Sequence, residues 1–204
     1  MFRSVTAAVS LATLVFAAPA LAHHPMGGTT PATLSEGLLS GFGHPILGFD
    51  HFIFILAAGL LAAPRARGLL LPLAFVIGSF AGSLLHLGSI TIPGGEYLIA
   101  GSVILLGALL LSPRAINDGL FAAILAVAGL LHGHALAESI FGAEATPLVA
   151  YLAGLAATQY LIAAAVVLAW RKITVINSLP QFNRFAGAGV AAVGAVFLAL
   201  NIAG

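Results

Sequence analysis

The sequence predicts an all-α fold: a polytopic membrane helix bundle of six transmembrane helices behind a cleaved signal peptide. Three observations carry that expectation. Of 204 residues, 61% are hydrophobic and 6% charged, where a soluble domain has about 45–50% and about 25%. After residue 44, apolar runs close to the ~20 residues needed to cross ~30 Å of hydrocarbon recur between short polar breaks. Those runs are unbroken rather than alternating, which disfavours a β-barrel. The composition excludes a water-soluble enzyme and a disordered chain. A net charge of +1 gives no basic field for nucleic acid. The absence of Cys removes disulfides, thiolate metal sites, Fe–S clusters and Cys nucleophiles.

Residues 1–22 read as a signal peptide. Arg3 supplies the positive start, Val5 to Ala18 the apolar stretch, and Pro19 precedes the small-x-small site Ala20-Leu21-Ala22. Residues 23–45 read as a periplasmic N-terminal arm, with Gly, Thr, Pro and Ser over 27–41 favouring flexible chain. Cleavage after Ala22 exposes His23-His24-Pro25-Met26. The free amine and the imidazoles of His23 and His24 form a nitrogen chelator suited to Cu(II) or Ni(II).

Residues 46–204 form the expected six-helix domain, with runs at 46–63, 69–88, 97–112, 119–138, 147–170 and 185–203. With the mature N-terminus outside, Arg65, Arg67, Arg114, Arg171, Lys172 and Arg184 all fall in inner loops, as the positive-inside rule requires. Glu36, Glu96, Glu138 and Glu144 lie outside or near the outer ends. Trp170, beside Arg171 and Lys172, suits an interfacial anchor. This predicts a bacterial inner-membrane protein with a periplasmic N-terminus. Gly78 and Gly82 form a G-x-x-x-G, and Gly187, Gly189 and Gly194 mark the last run; both read as close helix packing.

Histidine is the surplus residue, with seven His beside the single Lys172. At 1.5 Å per residue from the inner end of each run, His51 and Gln159 lie roughly 18 Å up, Asp50 roughly 20 Å, His132 roughly 21 Å, His134 roughly 24 Å and His86 roughly 26 Å. All fall in the outer half. Ionisable groups at membrane depth are costly and mark a pathway or site. One cluster is His44-Pro45-Ile46-Leu47-Gly48-Phe49-Asp50-His51. Pro45 suits a helix start, and seven residues place His44 and His51 nearly on one face of a continuous helix. The other is His132-Gly133-His134-Ala135-Leu136-Ala137-Glu138. There His134 and Glu138 share a face, His132 and His134 point about 200° apart, and Gly133 offers room for a local distortion. The expected metal-handling set is therefore His44, Asp50, His51, His86, His132, His134 and Glu138, with His23 and His24 at the terminus. Imidazole and carboxylate without thiolate suit divalent Ni, Co, Zn, Cu or Fe. Ca and Mg fit less well. Proton relay through His is the other chemistry the pattern allows.

The string Gly43-His44-Pro45-Ile46-Leu47-Gly48-Phe49-Asp50-His51 resembles the H-P-x-x-G-x-D-H signature of the HupE/UreJ family. His132-Gly133-His134-Ala135 with Glu138 resembles its second motif, H-G-H-A-x-x-x-E. The resemblance covers essentially the whole chain. It implies a secondary permease for a divalent transition metal, mainly Ni²⁺ and sometimes Co²⁺, that serves hydrogenase or urease maturation as an accessory membrane protein. It implies metal handling by His44, Asp50 and His51, followed by His132, His134 and Glu138. The expected partners are the metal ion as cargo, the lipid bilayer, and a second copy or a metallochaperone; no nucleic acid and no prosthetic group are expected. The alternative is a membrane metal sensor or metal-docking subunit that does not transport. An enzyme is not expected. Gly82-Ser83 and Gly101-Ser102 stand without a full serine-protease motif, and H-E-x-x-H and the phosphate loop G-x-x-x-x-G-K-[ST] are absent.

Overall fold

The structure, a computed structural model, describes residues 29–112, 116–176 and 180–203. The expected signal peptide, His23, His24 and Arg114 lie outside the described residues. The described residues form seven α-helices: α1 Leu34–Leu47, α2 Phe49–Ala62, α3 Pro72–Leu87, α4 Gly95–Leu111, α5 Asp118–Leu136, α6 Ala145–Ile176 and α7 Pro180–Ala203. A 3-10 turn, Ala137–Ile140, extends α5. No strand occurs among the described residues.

Each of the six apolar runs is mostly helical, but the first helix starts earlier than the runs predict. Residues 34–45 of the expected arm, of which 34–41 read as flexible chain, are helical within α1. Thr33 Oγ1 accepts the Glu36 amide at 3.2 Å and the Glu36 carboxylate accepts the Thr33 amide at 3.2 Å, a capping box that satisfies orphan donors at a helix start. Gly37 and Gly41, which suggest flexibility in the sequence, instead let α1 lie directly against the backbone of Pro147 and Tyr151 on α6. Pro45 sits inside α1 rather than at a helix start. The chain then bends by 77° between α1 and α2, at Gly48. His44 and His51 therefore stand on two different helices and do not share a face.

By length and composition, Asp118–Ile140, Ala145–Ile173 and Phe182–Ala203 are each long and apolar enough to cross a membrane. The bent α1–α2 pair makes a fourth if counted as one span. The apolar helices α3 and α4 have 16 and 17 residues, roughly 24 and 26 Å of helix.

Three helix pairs pack most extensively, α3 with α5, α4 with α7 and α1 with α6. Glycine lies at each contact. Between α3 and α5 the fit is reciprocal: a Cβ on Gly78 or Gly82 would overlap the backbone of Ala126 or Leu130, and a Cβ on Gly129 or Gly133 that of Phe75 or Ser79. Gly107 lies against Ala191, and Gly194 against Ile104. Such small-residue faces let helix backbones approach and gain dispersion contacts in lipid. Helix α2 runs through the middle, with Phe54, Ile55, Ala57, Ala58 and Ala62 buried.

Charge gathers at the end of the bundle where α2 finishes and α5 begins. Arg65 pairs with Asp118 at 2.6 Å and donates to the Leu61 and Ile116 carbonyls. Arg171 donates to the carbonyls of Ala63 and Arg65. Two guanidinium groups thus satisfy terminal carbonyls of α2 and tie it to α5 and α6. The second histidine motif lies at the opposite end of α5.

Candidate functional site

The bend at Gly48 aims the two first-motif histidines at different neighbours. A Cβ at Gly48 would approach the His51 ring to 2.6 Å, so the glycine makes room for that side chain. Asp50, in the first turn of α2, accepts the His51 backbone N–H at 2.9 Å. A carboxylate there also suits the positive end of the helix dipole. Its side chain is buried beside the His51 backbone.

His51 meets the second motif. Its Nδ1 lies 2.6 Å from Nδ1 of His132, which is fully buried. The other ring nitrogen of His132, Nε2, is 2.9 Å from Ser102 Oγ on α4. Phe54 and Phe75 stack at 4.9 Å and pack against the His132 ring at 4.5 and 5.6 Å. Both phenyl groups are buried, so an aromatic floor adjoins the histidine pair. The sequence places His51 and His132 at similar depth but not in contact, and it gives no sign of Ser102 as their partner.

His44 lies beside the second motif, against Ser139 in the 3-10 turn that follows it. His44 Nδ1 lies 2.8 Å from Ser139 Oγ and 3.1 Å from Tyr151 OH. Both hydroxyls donate to the Leu136 carbonyl, at 3.2 and 2.5 Å. Tyr151 is fully buried, and a buried phenol normally finds such an acceptor.

The remaining candidates form a third group nearer solvent. His86 and His134 rings stand 4.7 Å apart, edge to face. Both line an open cavity of about 390 Å³ with Glu96, Tyr97, Leu131 and Glu138. His134 Nε2 donates to the Ile90 carbonyl at 2.7 Å, which holds the loop containing Ser89 at φ 60°. His132 and His134 face different sites, as their helical spacing predicts. Helix α5 runs unbroken through Gly133, so that glycine serves the contact with α3 and not a distortion.

The structure thus divides the histidine candidates among three places: His51 with His132, His44 with Ser139 and Tyr151, and His86 with His134. Among the described residues, no three His, Asp or Glu side chains gather where one ion could take all of them. One further polar contact lies between α6 and α3. Gln159 Nε2 donates to Ser79 Oγ at 2.9 Å, and the buried Gln159 Oε1 has no hydrogen-bond partner.

A bundle of long apolar helices with buried imidazoles from separate helices in contact defines a multi-pass membrane protein with a polar site inside its apolar core. The chain belongs to the HupE/UreJ family: residues 11–197 match the family described as HupE / UreJ protein. It is similar to "Protein HupE" of Rhizobium leguminosarum bv. viciae, 32% identical over 120 residues. That stretch covers 58% of this chain and 60% of the relative's length. No solved structure matches the chain.

Proposed function

We propose that the protein is a secondary permease that carries a divalent transition metal, Ni²⁺ or Co²⁺, from periplasm to cytoplasm for metalloenzyme maturation. Helices α2 to α7 each cross the bacterial inner membrane once in this reading, and α1 packs on α6 at the periplasmic side behind a cleaved signal peptide. The observation that carries it is the contact of His51 with His132, which joins the two histidine motifs at the centre of the bundle. The cavity of His86, His134 and Glu138 is the entry, where a hydrated cation first meets imidazole and carboxylate ligands suited to Ni²⁺ and Co²⁺. The ion then passes to His51, with Asp50 supplying negative charge beside it. Imidazole must be deprotonated to bind metal, so capture releases any proton it held. Arg65 and Arg171 mark the cytoplasmic end. The protein is a carrier and not an enzyme in this reading, and the metal is its cargo.

No phosphate loop is needed. An inside-negative potential supplies ~4.6 kcal/mol to a divalent cation per 100 mV, twice the ~2.3 kcal/mol for a single charge. The burial of Phe54 and Phe75 against His132 favours a second reading, a metal sensor or docking subunit that never opens inward. Cells expressing the chain separate the two. The permease reading predicts uptake of ⁶³Ni²⁺ that Asp50→Asn abolishes while the variant still inserts in the membrane. Uptake equal to that of cells lacking the protein would overturn the permease and favour the sensor.

A further inference from the structure

We propose that Ser102 and His132 are positioning residues that fix the tautomer of His51, so that His51 presents Nε2 to the metal; the consequence for metal rests on the permease reading. The assignment follows from counting protons. The Ile99 carbonyl can only accept, so the single hydroxyl proton of Ser102 is committed to it at 2.7 Å. Ser102 Oγ must then accept from His132 Nε2 at 2.9 Å. In the neutral ring that leaves His132 Nδ1 as a lone pair. His51 Nδ1, 2.6 Å away, therefore donates to it, and the His51 lone pair is on Nε2. Both ring nitrogens of His132 are engaged within the protein, and its ring is fully buried. It acts on the ion through His51 rather than as a ligand.

A separate network sets His44 the same way. Tyr151 and Ser139 both give their protons to the Leu136 carbonyl, so His44 Nδ1 donates to their oxygens. Its lone pair is likewise on Nε2. Two unrelated sets of partners thus leave the two first-motif histidines in one tautomer. Partners that hold the second nitrogen of a metal-binding imidazole orient the ring and raise its basicity, and their loss costs about 10–100-fold in metal affinity.

The test is ¹⁵N NMR of the purified, metal-free full chain with labelled histidine, joined to calorimetry with NiCl₂. In the unaltered protein, His44 and His51 should be protonated at Nδ1 and His132 at Nε2. In Ser102→Ala, His132 loses its acceptor, the His132–His51 proton order inverts, and Ni²⁺ affinity falls about 10-fold or more. Ser102→Thr, which keeps the hydroxyl, should restore both readouts. Protonation of His51 at Nε2 in the unaltered protein would overturn the proposal, whatever the variants do. So would an unchanged His51 tautomer in a folded Ser102→Ala variant. The expected tautomers without any Ni²⁺ binding would support the assignment and overturn the permease reading instead.

Discussion

Replacing His51 by alanine is expected to lower the Ni²⁺ affinity of the purified protein by more than about 100-fold, beyond the range seen when only an outer partner of a ligand is lost. The substitution also leaves His132 Nδ1 without its donor in a buried site. An unpaired buried polar atom costs about 1–3 kcal/mol, so a moderate loss of stability should accompany the loss of binding. Asp50→Asn separates charge from structure. Asn keeps an oxygen to accept the His51 N–H but removes the negative charge. It should therefore stay folded and still bind Ni²⁺ more weakly. Calorimetry with circular dichroism measures both quantities. An unaltered affinity in folded His51→Ala would remove His51 from the site.

Gly133→Val is expected to produce the largest loss of stability. The new side chain would overlap the Ser79 backbone carbonyl, which cannot rotate away as a side chain can. Helices α3 and α5 must separate, and the Ser83 hydroxyl loses its 3.0 Å bond to the Gly133 carbonyl. The cost should reach the top of the 1–3 kcal/mol typical of overpacking, or about 3 kcal/mol. At about 2–4 °C per kcal/mol, Tm should fall by roughly 6–12 °C. Gly101→Ala is the control: a Cβ there meets open space, and Ala is the better helix former, so Tm should hold or rise. Equal Tm values for Gly133→Val and the unaltered protein would show that the close α3–α5 contact is not a source of stability.

The helical runs are legible in the sequence because burial in lipid demands unbroken apolar length, a signal that needs no knowledge of neighbours. Helix α1 is not read from its composition, since Gly37, Ser40 and Gly41 look like linker. The local signal was nonetheless present in Thr33-Leu34-Ser35-Glu36, a capping box before Leu38 and Leu39. Pro45 misleads because a proline near the end of one helix and at the start of the next look alike until the bend at Gly48 is known. Gly133 misleads for a related reason: glycine marks either backbone freedom or close approach, and only the Ser79 carbonyl decides between them. The site residues themselves are conspicuous, as ionisable groups in apolar runs. Their pairing is not, because His44 meets Tyr151 across 107 positions and His51 meets His132 across 81. Ser102, the one hydroxyl in the apolar stretch 98–111, gives no sign of its partner. Tyr151 and Ser139 carry none until α1 is seen to pack on α6.

Uptake of ⁶³Ni²⁺ into proteoliposomes containing the purified protein, with and without an inside-negative potential, tests the permease most directly. Transport that rises with the potential and is lost in His51→Ala is the predicted result. Tight Ni²⁺ binding with no accumulation at any potential would contradict it and identify the histidine core as a place where metal is held and not passed on.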